Sequence, residues 1–116
     1  MSEIEKSPVE EFIKNLKFDR NNLIPAIIQD VKDGAILMLG YMNLESVRRT
    51  ISENKVTFWS RSRQKFWTKG ETSGNFLNVV EIYSDCDHDA LLIKAVPQGP
   101  TCHTMKRSCF SWQLLK

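Results

Sequence analysis

The residue types best suited to chemistry lie in one short segment, residues 85–89, which reads Asp-Cys-Asp-His-Asp. If this segment is extended, successive side chains alternate, so Asp85, Asp87 and Asp89 share one side of the backbone. Cys86 and His88 then share the other. Carboxylates suit Mg²⁺, whereas thiolates suit Zn²⁺. The pattern therefore predicts two metals beside one segment, with a solvated acidic turn as the alternative.

A second group contains Cys102, the adjacent His103, and Cys109. Together with Cys86 these make three thiols without a CxxC pair. Structural zinc sites usually have four protein ligands, whereas three leave a position for water, as in a catalytic zinc site. A histidine beside such a site, here His103, could move protons for that water. The alternative is that each cysteine is a small buried hydrophobe.

A third group is basic and aromatic. Residues 61–69 carry four basic side chains and no acidic one, and a loop with two hydroxyl residues and two glycines follows over residues 70–75. Guanidinium groups, hydroxyls and loop amides suit phosphate oxygens, and Trp59 and Trp67 could stack on a base. We predict a small phosphorylated nucleotide here, because a net charge of +2 leaves no extended basic face for nucleic acid. A solvated basic hairpin is the alternative.

The composition indicates one globular domain over residues 1–116. With 41% apolar and 26% charged residues, collagen-like, low-complexity and wholly disordered chains are excluded. The longest uncharged apolar run, residues 35–42, is far shorter than the roughly 20 residues that cross a bilayer. The N-terminus lacks the pattern of a secretory signal, and three cysteines cannot all pair within one chain. We therefore expect a cytoplasmic protein without a membrane partner.

Two helices are expected to pack on the domain. Ser7, Pro8 and Glu10 form a helix start with a capping box, and apolar residues then recur at helical spacing. We treat residues 1–18 as an N-terminal helical extension. Asn43 can cap a second helix, whose apolar stripe contains Leu44, Val47 and Ile51.

The remaining elements are strands. Apolar, β-branched runs predict strands over residues 23–31, 35–39, 56–59, 65–68, 76–83 and 90–96. Pro25 breaks or edges the first strand, and Asp33-Gly34 favours a hairpin after it. The order predicts a β-rich α+β fold, a small twisted sheet or partly open barrel with an N-terminal helix and one further helix.

Four motifs in this order resemble the phosphoribosyl-AMP cyclohydrolase family. They are Ser-Arg-Ser-Arg at residues 60–63, Trp-Thr-Lys-Gly-Glu-Thr-Ser-Gly at 67–74, Asp-Cys-Asp-x-Asp at 85–89, and Cys-His with a later Ser-Cys-Phe at 102–110. The resemblance extends from about residue 23 to residue 110. It implies an enzyme of histidine biosynthesis in which a zinc-activated water opens the N1–C6 bond of the adenine ring, giving the phosphoribosyl-formimino carboxamide ribotide.

The resemblance also implies roles for individual residues. Cys86, Cys102 and Cys109 match the zinc ligands, and Asp85, Asp87 and Asp89 match the magnesium ligands. His103 matches the proton-transfer group. An intertwined homodimer with zinc held by cysteines of both subunits is implied as well. From their chemistry we assign the substrate contacts to Arg61, Arg63, Trp67, Lys69, Thr72, Ser73 and Gly74.

Two residues depart from the family pattern. His88 stands where the resemblance more often has glycine or another small or polar residue. Met105 replaces the usual glycine, and methionine tolerates positive φ poorly. In an extended segment His88 would share a side with Cys86 and could approach the zinc as an occasional fourth ligand. The alternative is that His88 faces solvent or pairs with an aspartate.

Two other classes of protein use similar residues. A zinc nucleobase deaminase carries His-x-Glu and Pro-Cys-x-x-Cys, and neither motif occurs in this chain. A zinc-stabilised RNA-binding module would saturate its metal with four protein ligands and bind with steep salt dependence. The hydrolase is therefore the favoured interpretation.

Overall fold

The computed structural model describes residues 7–116, and within them the chain forms two helices and six strands. The helices are α1 (Pro8–Lys14) and α2 (Leu44–Glu53), and the strands are β1 (Ile24–Asp30), β2 (Ile36–Met42), β3 (Thr57–Ser60), β4 (Lys65–Thr68), β5 (Leu77–Ser84) and β6 (Leu91–Pro97). Residues 1–6 of the predicted helical extension lie outside the described residues. Neither described helix has the length and apolar character that a bilayer crossing requires.

The strands form one sheet and one separate hairpin. Four strands pair in the order β2-β1-β6-β5, while β3 and β4 pair only with each other. β1 runs antiparallel to β2 and parallel to β6, and β6 runs antiparallel to β5. The predicted β-rich α+β class is confirmed, with an open sheet rather than a barrel. Homodimerisation stays a prediction.

One hydrophobic cluster joins the sheet to the helices and the hairpin. Burial alternates along β1 and along β6, so one face of the sheet is covered. Ile13 and Leu16 of the N-terminal region, Val47 of α2 and Phe58 of β3 belong to the same cluster. The N-terminal helix is therefore part of the core packing.

Both helices begin at capped residues. The Ser7 hydroxyl accepts from the backbone N–H of Glu10 at 3.2 Å. The predicted return bond from Glu10 is replaced, because the Glu10 carboxylate accepts from Arg48 of α2 at 2.7 Å. At α2 the reciprocal capping box is complete between Asn43 and Ser46.

The buried face of α2 differs from the predicted stripe. Val47 is buried and Ile51 packs at the margin of the core, but Leu44 is 43% exposed. Thr50 is buried instead, and its hydroxyl accepts from the Thr57 N–H at 3.0 Å and donates to the Thr57 carbonyl at 3.2 Å. A polar side chain is tolerated here because both of its hydrogen-bonding functions are satisfied.

The predicted hairpin after β1 is present. Residues 31–34 form the loop, Gly34 adopts φ +80°, and the Asp30 N–H donates to the Ala35 carbonyl at 2.8 Å. Pro25 lies inside β1 rather than breaking it. The ladder with β6 begins only at Ala26, so Pro25 stands at the end of that ladder.

Candidate functional site

The segment of residues 85–89, called here the aspartate turn, connects β5 to β6 and is not extended. The His88 N–H donates to the Asp85 carbonyl at 3.0 Å, and His88 has φ 64°. The extended conformation that the alternating pattern assumed is therefore wrong. A tight turn forms because the Asp85 carboxylate accepts from the N–H groups of Asp89 at 3.0 Å and Ala90 at 3.2 Å.

The turn nevertheless gathers the three predicted carboxylates. Asp85, Asp87 and Asp89 each offer an oxygen within 4.8 Å of the others, and all three are exposed. Desolvation raises the pKa of Asp85, but hydrogen bonds from the Asp89 and Ala90 N–H groups and with the Asp89 and Asp87 side chains together hold that pKa below its usual value. Hydrogen bonding to Asp87, followed by desolvation, raises the pKa of Asp89. The cluster is thus a concentration of negative charge that could bind a metal ion.

His88 is turned away from the role that an extended segment would give it. Its Nδ1 lies 2.9 Å from the Ser84 hydroxyl, and its carbonyl accepts from the Lys17 N–H at 2.8 Å. Its left-handed backbone is a conformation that histidine adopts more readily than most residues. The hydrogen-bond partner of Nδ1 is therefore a serine rather than an aspartate, and an approach of His88 to zinc stays a prediction.

The second cluster is the cysteine loop, residues 101–109. The Cys102 and Cys109 side chains lie close enough for each thiol to shift the pKa of the other. The Thr104 hydroxyl donates to Cys102 Sγ at 3.0 Å and lowers the pKa of the Cys102 thiol, with a smaller contribution from Lys69. Burial, and then the neighbouring Cys102, raises the pKa of the Cys109 thiol. The loop thus presents two adjacent sulfurs, which are soft ligands.

Cys86 does not join these two sulfurs within one chain. Among residues 7–116, only the three aspartates form a group of three or more candidate ligands within 4.8 Å of one another. Cys86 is exposed in the aspartate turn. A single chain therefore brings together two of the three predicted zinc ligands.

The cysteine loop is closed by its own backbone. The Met105 N–H donates to the Cys102 carbonyl at 2.9 Å, and the Cys102 N–H donates to the Lys106 carbonyl at 3.0 Å. Met105 has φ 70°, a conformation that costs about 1–2 kcal/mol for most L-residues. The loop thus keeps a glycine-like path at Met105, although methionine adopts it at a cost.

A cavity of about 290 Å³ connects the cysteine loop to the basic hairpin; we call it the Lys69–His103 cavity. Its walls are Trp67, Lys69, Gly70, Thr72, Ser73, Asn75, Pro100, Cys102, His103 and Met105. Gly70 has φ +94°, and a Cβ there would lie 2.5 Å from the backbone of Asn75. The loop therefore requires glycine to bring its hydroxyl residues against the cavity.

Lys69 is the charged residue most deeply placed in this cavity. It is only 8% exposed, and within residues 7–116 no carboxylate lies within 4.0 Å of its ammonium. Its Nζ lies 5.9 Å from the centre of the Trp67 ring, and its charge favours the thiolates of Cys102 and Cys109. A buried cation without an ion pair suits an anionic ligand in the cavity.

Three of the predicted substrate residues lie elsewhere. The Arg61 guanidinium stacks on Tyr41 at 3.9 Å and lines a separate groove of about 740 Å³, which shares Trp67 with the cavity. Arg63 is exposed and is not among the residues lining either. Gly74 has φ +83° and donates its N–H to the Gly70 carbonyl at 2.7 Å. Gly74 therefore shapes the loop without lining the cavity.

Sequence reasoning missed three contributors. Asn75 and Thr104 are small polar residues without a motif of their own, although hydroxyls two residues from a cysteine often bond locally. Arg107 is the third, and it has no assigned role in the sequence motifs. Its guanidinium contacts Asp30 and Asp33, residues more than 70 positions away, and no local pattern signals such a contact.

The fold and site describe a small α+β protein with an acidic cluster on one loop and a pair of thiols on another. The family model for phosphoribosyl-AMP cyclohydrolase matches residues 38–111. The chain belongs to that family.

Relatives of known name support the assignment. The phosphoribosyl-AMP cyclohydrolase of Paracoccus denitrificans is 54% identical over 96 residues, which cover 83% of this chain and 79% of that protein. The histidine biosynthesis bifunctional protein HisIE of Escherichia coli is 60% identical over 90 residues, which cover 78% of this chain. The bifunctional protein of Staphylococcus epidermidis is 56% identical over 92 residues. The match covers 44% of the length of each bifunctional relative.

Proposed function

We propose that this protein hydrolyses the N1–C6 bond of the adenine ring of phosphoribosyl-AMP, a step of histidine biosynthesis. The water oxygen bonds to C6, and N1 leaves with the bonding electron pair and takes a proton. The product is the phosphoribosyl-formimino carboxamide ribotide. The Lys69–His103 cavity is the observation that carries this proposal, because a buried cation, hydroxyl groups, a thiol and an imidazole meet there.

The donor chemistry of the cysteine loop fits zinc. Cys102 and Cys109 offer adjacent sulfurs, and the lowered pKa of Cys102 favours the thiolate that binds metal. Cys86 would be the third ligand and would come from a second copy, since one chain does not bring it to the pair. Zinc at this site would act as a Lewis acid that lowers the pKa of the reacting water.

The donor chemistry of the aspartate turn fits magnesium. Asp85, Asp87 and Asp89 offer hard oxygen ligands within 4.8 Å of one another. Mg²⁺ usually binds through one or two carboxylates together with substrate phosphates, and it retains several waters. The exposure of this cluster leaves room for such a mixed ligand set. We infer that magnesium there neutralises charge near a substrate phosphate or the developing oxyanion.

The protein's own side chains would orient the nucleotide and move its protons. His103 would deliver the proton that N1 needs as the ring opens, because its imidazole lines the cavity and can act as a general acid. Lys69 would face a phosphate or the negative charge that develops at C6, and Trp67 would form an aromatic wall. Arg61 and Arg63 stay predicted phosphate contacts, although neither lines the cavity. The cytoplasmic location stays a prediction too.

The test follows the absorbance change of phosphoribosyl-AMP as purified protein opens the ring. We expect turnover by the metal-loaded protein, its loss after zinc chelation, and its recovery when zinc is restored. Ring opening that persists at full rate after zinc is removed would contradict the zinc role. Absence of ring opening by the metal-loaded protein would overturn the proposed function.

The two histidines of the chain provide a matched pair of variants. We expect His103→Asn to lose about 10²–10⁴-fold in kcat, the usual contribution of a general acid or base. His88→Asn should retain activity, because asparagine tolerates the left-handed backbone of residue 88. Equal losses in the two variants would remove the specific role of His103.

A further inference from the structure

Arg107 connects the cysteine loop to a distant hairpin of the sheet. Its guanidinium donates to Asp30 at 2.9 Å and to the two carboxylate oxygens of Asp33 at 2.7 and 2.8 Å. Both aspartates belong to the end of the β1–β2 hairpin, and Arg107 lies two residues before Cys109. One side chain therefore bridges the loop to a rigid turn.

The two acceptors are themselves held in place. Asp30 is buried, and its second oxygen accepts from the Lys32 N–H at 2.9 Å. Asp33 accepts from the Ala35 N–H at 3.1 Å. Because both carboxylates are fixed by the backbone of the hairpin, they form a preorganised receptor for the one guanidinium nitrogen, Nη2, that contacts both.

The residues that follow Arg107 are hydrogen-bonded to β2. The Ser108 hydroxyl donates to the Ile36 carbonyl at 2.7 Å, and the Cys109 N–H donates to the Leu37 carbonyl at 2.8 Å. The Arg107 carbonyl accepts from the Thr101 N–H at 3.2 Å, which closes the loop. Residues 107–109 are thus bonded both to β2 and to Thr101. These bonds fix the beginning and the end of the cysteine loop.

We propose that Arg107 is a positioning residue that, with Asp30 and Asp33, holds the cysteine loop in the geometry that pairs Cys102 with Cys109. The contacts described above carry this inference, and its relevance to metal rests on the proposed function. Arg107 contacts neither sulfur, so it acts through the path of the loop.

The test compares the purified full-length wild type with Arg107→Gln in a Co²⁺ titration, followed by thiolate-to-cobalt absorption in the near ultraviolet. Arg48→Gln is the matched control, because Arg48 makes a two-bond pair with Glu10 at similar exposure on the helices. We expect Arg107→Gln to bind Co²⁺ about tenfold more weakly than the wild type. The control Arg48→Gln should bind Co²⁺ as tightly as the wild type. Partial recovery is expected for Arg107→Lys, which keeps the positive charge and offers one nitrogen that can donate to both carboxylates, although on a side chain of different shape.

A second readout needs no metal. In chelator-treated protein, diamide oxidises two thiols to a disulfide and is itself reduced to the hydrazine, and peptide mapping identifies the pair formed. We expect Arg107→Gln to slow the linking of Cys102 to Cys109 by about tenfold, because the pair is no longer preorganised. If the wild type shows no cobalt band but this effect remains, the metal proposal fails and the positioning role stands.

Two results would overturn the inference. One is wild-type cobalt affinity together with a wild-type linking rate in Arg107→Gln. The other is that Arg48→Gln produces the same losses, since a general loss of stability would then explain both. If Arg107→Gln does not fold, its exposed partner Asp33 is substituted instead. Asp33→Asn is then judged by the same two criteria.

Discussion

The aspartate turn and the cysteine loop gather their candidate ligands by different means. The carboxylates come from residues 85–89, and one tight turn brings all three within 4.8 Å inside a single chain. The sulfur pair depends on contacts made far along the sequence, through Arg107 and through the bond from Cys109 to Leu37. The first cluster is local and complete, whereas the second depends on tertiary packing and lacks Cys86. Substitutions at more positions, including positions far along the sequence, should therefore disturb the sulfur pair than the carboxylate cluster.

The largest expected effect is the loss of any one cysteine. Because three ligands are the minimum for a held catalytic zinc, we expect Cys86→Ser, Cys102→Ser and Cys109→Ser each to lose bound zinc and nearly all turnover. Cys86→Ser should be as damaging as the others, although Cys86 lies apart from the pair. Metal analysis beside the ring-opening assay checks this, and full zinc in any variant would remove that cysteine from the site.

The second effect concerns Lys69, the buried cation of the Lys69–His103 cavity. Lys69→Met keeps most of the side-chain volume but removes the charge, and we expect kcat/KM to fall by about 10²-fold. Lys65→Met is the matched control, because Lys65 is exposed on neighbouring β4. Steady-state kinetics on both variants decides the point. Similar losses in the two would mean that only the net charge of the hairpin matters.

A more selective effect is expected at the aspartate turn. Asp87→Asn should retain zinc but lose the activation by added magnesium, because an amide is a poorer Mg²⁺ ligand than a carboxylate. The thiol pair lies outside this cluster, so zinc content serves as an internal control. A magnesium titration of zinc-loaded protein makes the measurement. An unchanged activation curve would contradict a separate magnesium site.

The smallest effect concerns the backbone of the cysteine loop. Met105→Gly relieves the left-handed conformation at residue 105, and we expect the free energy of unfolding to rise by up to about 1 kcal/mol. Asn54→Gly is the comparison, since asparagine already accepts its φ of 58° at little cost and should gain less. Chemical denaturation measures both. A loss of stability in Met105→Gly would show that its side chain contributes more than its backbone costs.

Much of the fold could be predicted from local patterns. Alternating apolar residues and turn residues gave the strands to within a few residues, because burial on one face of a sheet leaves a period of two. The predictions were wrong where tertiary contacts determine which side chains are buried. Thr50 is buried because Thr57 satisfies its hydroxyl, while Leu44 is exposed although it is apolar.

Only some of the predicted site residues lie together in the structure. Asp85, Asp87 and Asp89 do cluster, but through a turn whose hydrogen bonds replace the extended strand that the spacing suggested. Lys69 and His103, predicted separately as a substrate contact and a proton-transfer group, line one cavity. Arg61 and Arg63 were grouped with Lys69 because they lie close in sequence. The hairpin directs them elsewhere, which spacing alone does not reveal.

The most direct test of the account asks whether Cys86 of one copy completes the thiol pair of another. Equal amounts of the Cys86→Ser and Cys109→Ser proteins are refolded together, and ring opening is measured. Half of the random dimers are mixed, and each mixed dimer holds one intact site of two, so we predict about one quarter of wild-type activity. A mixture of Cys102→Ser with Cys109→Ser should stay inactive, because those ligands come from one chain. No recovery in the first mixture, or equal recovery in both, would contradict a zinc site shared between two copies.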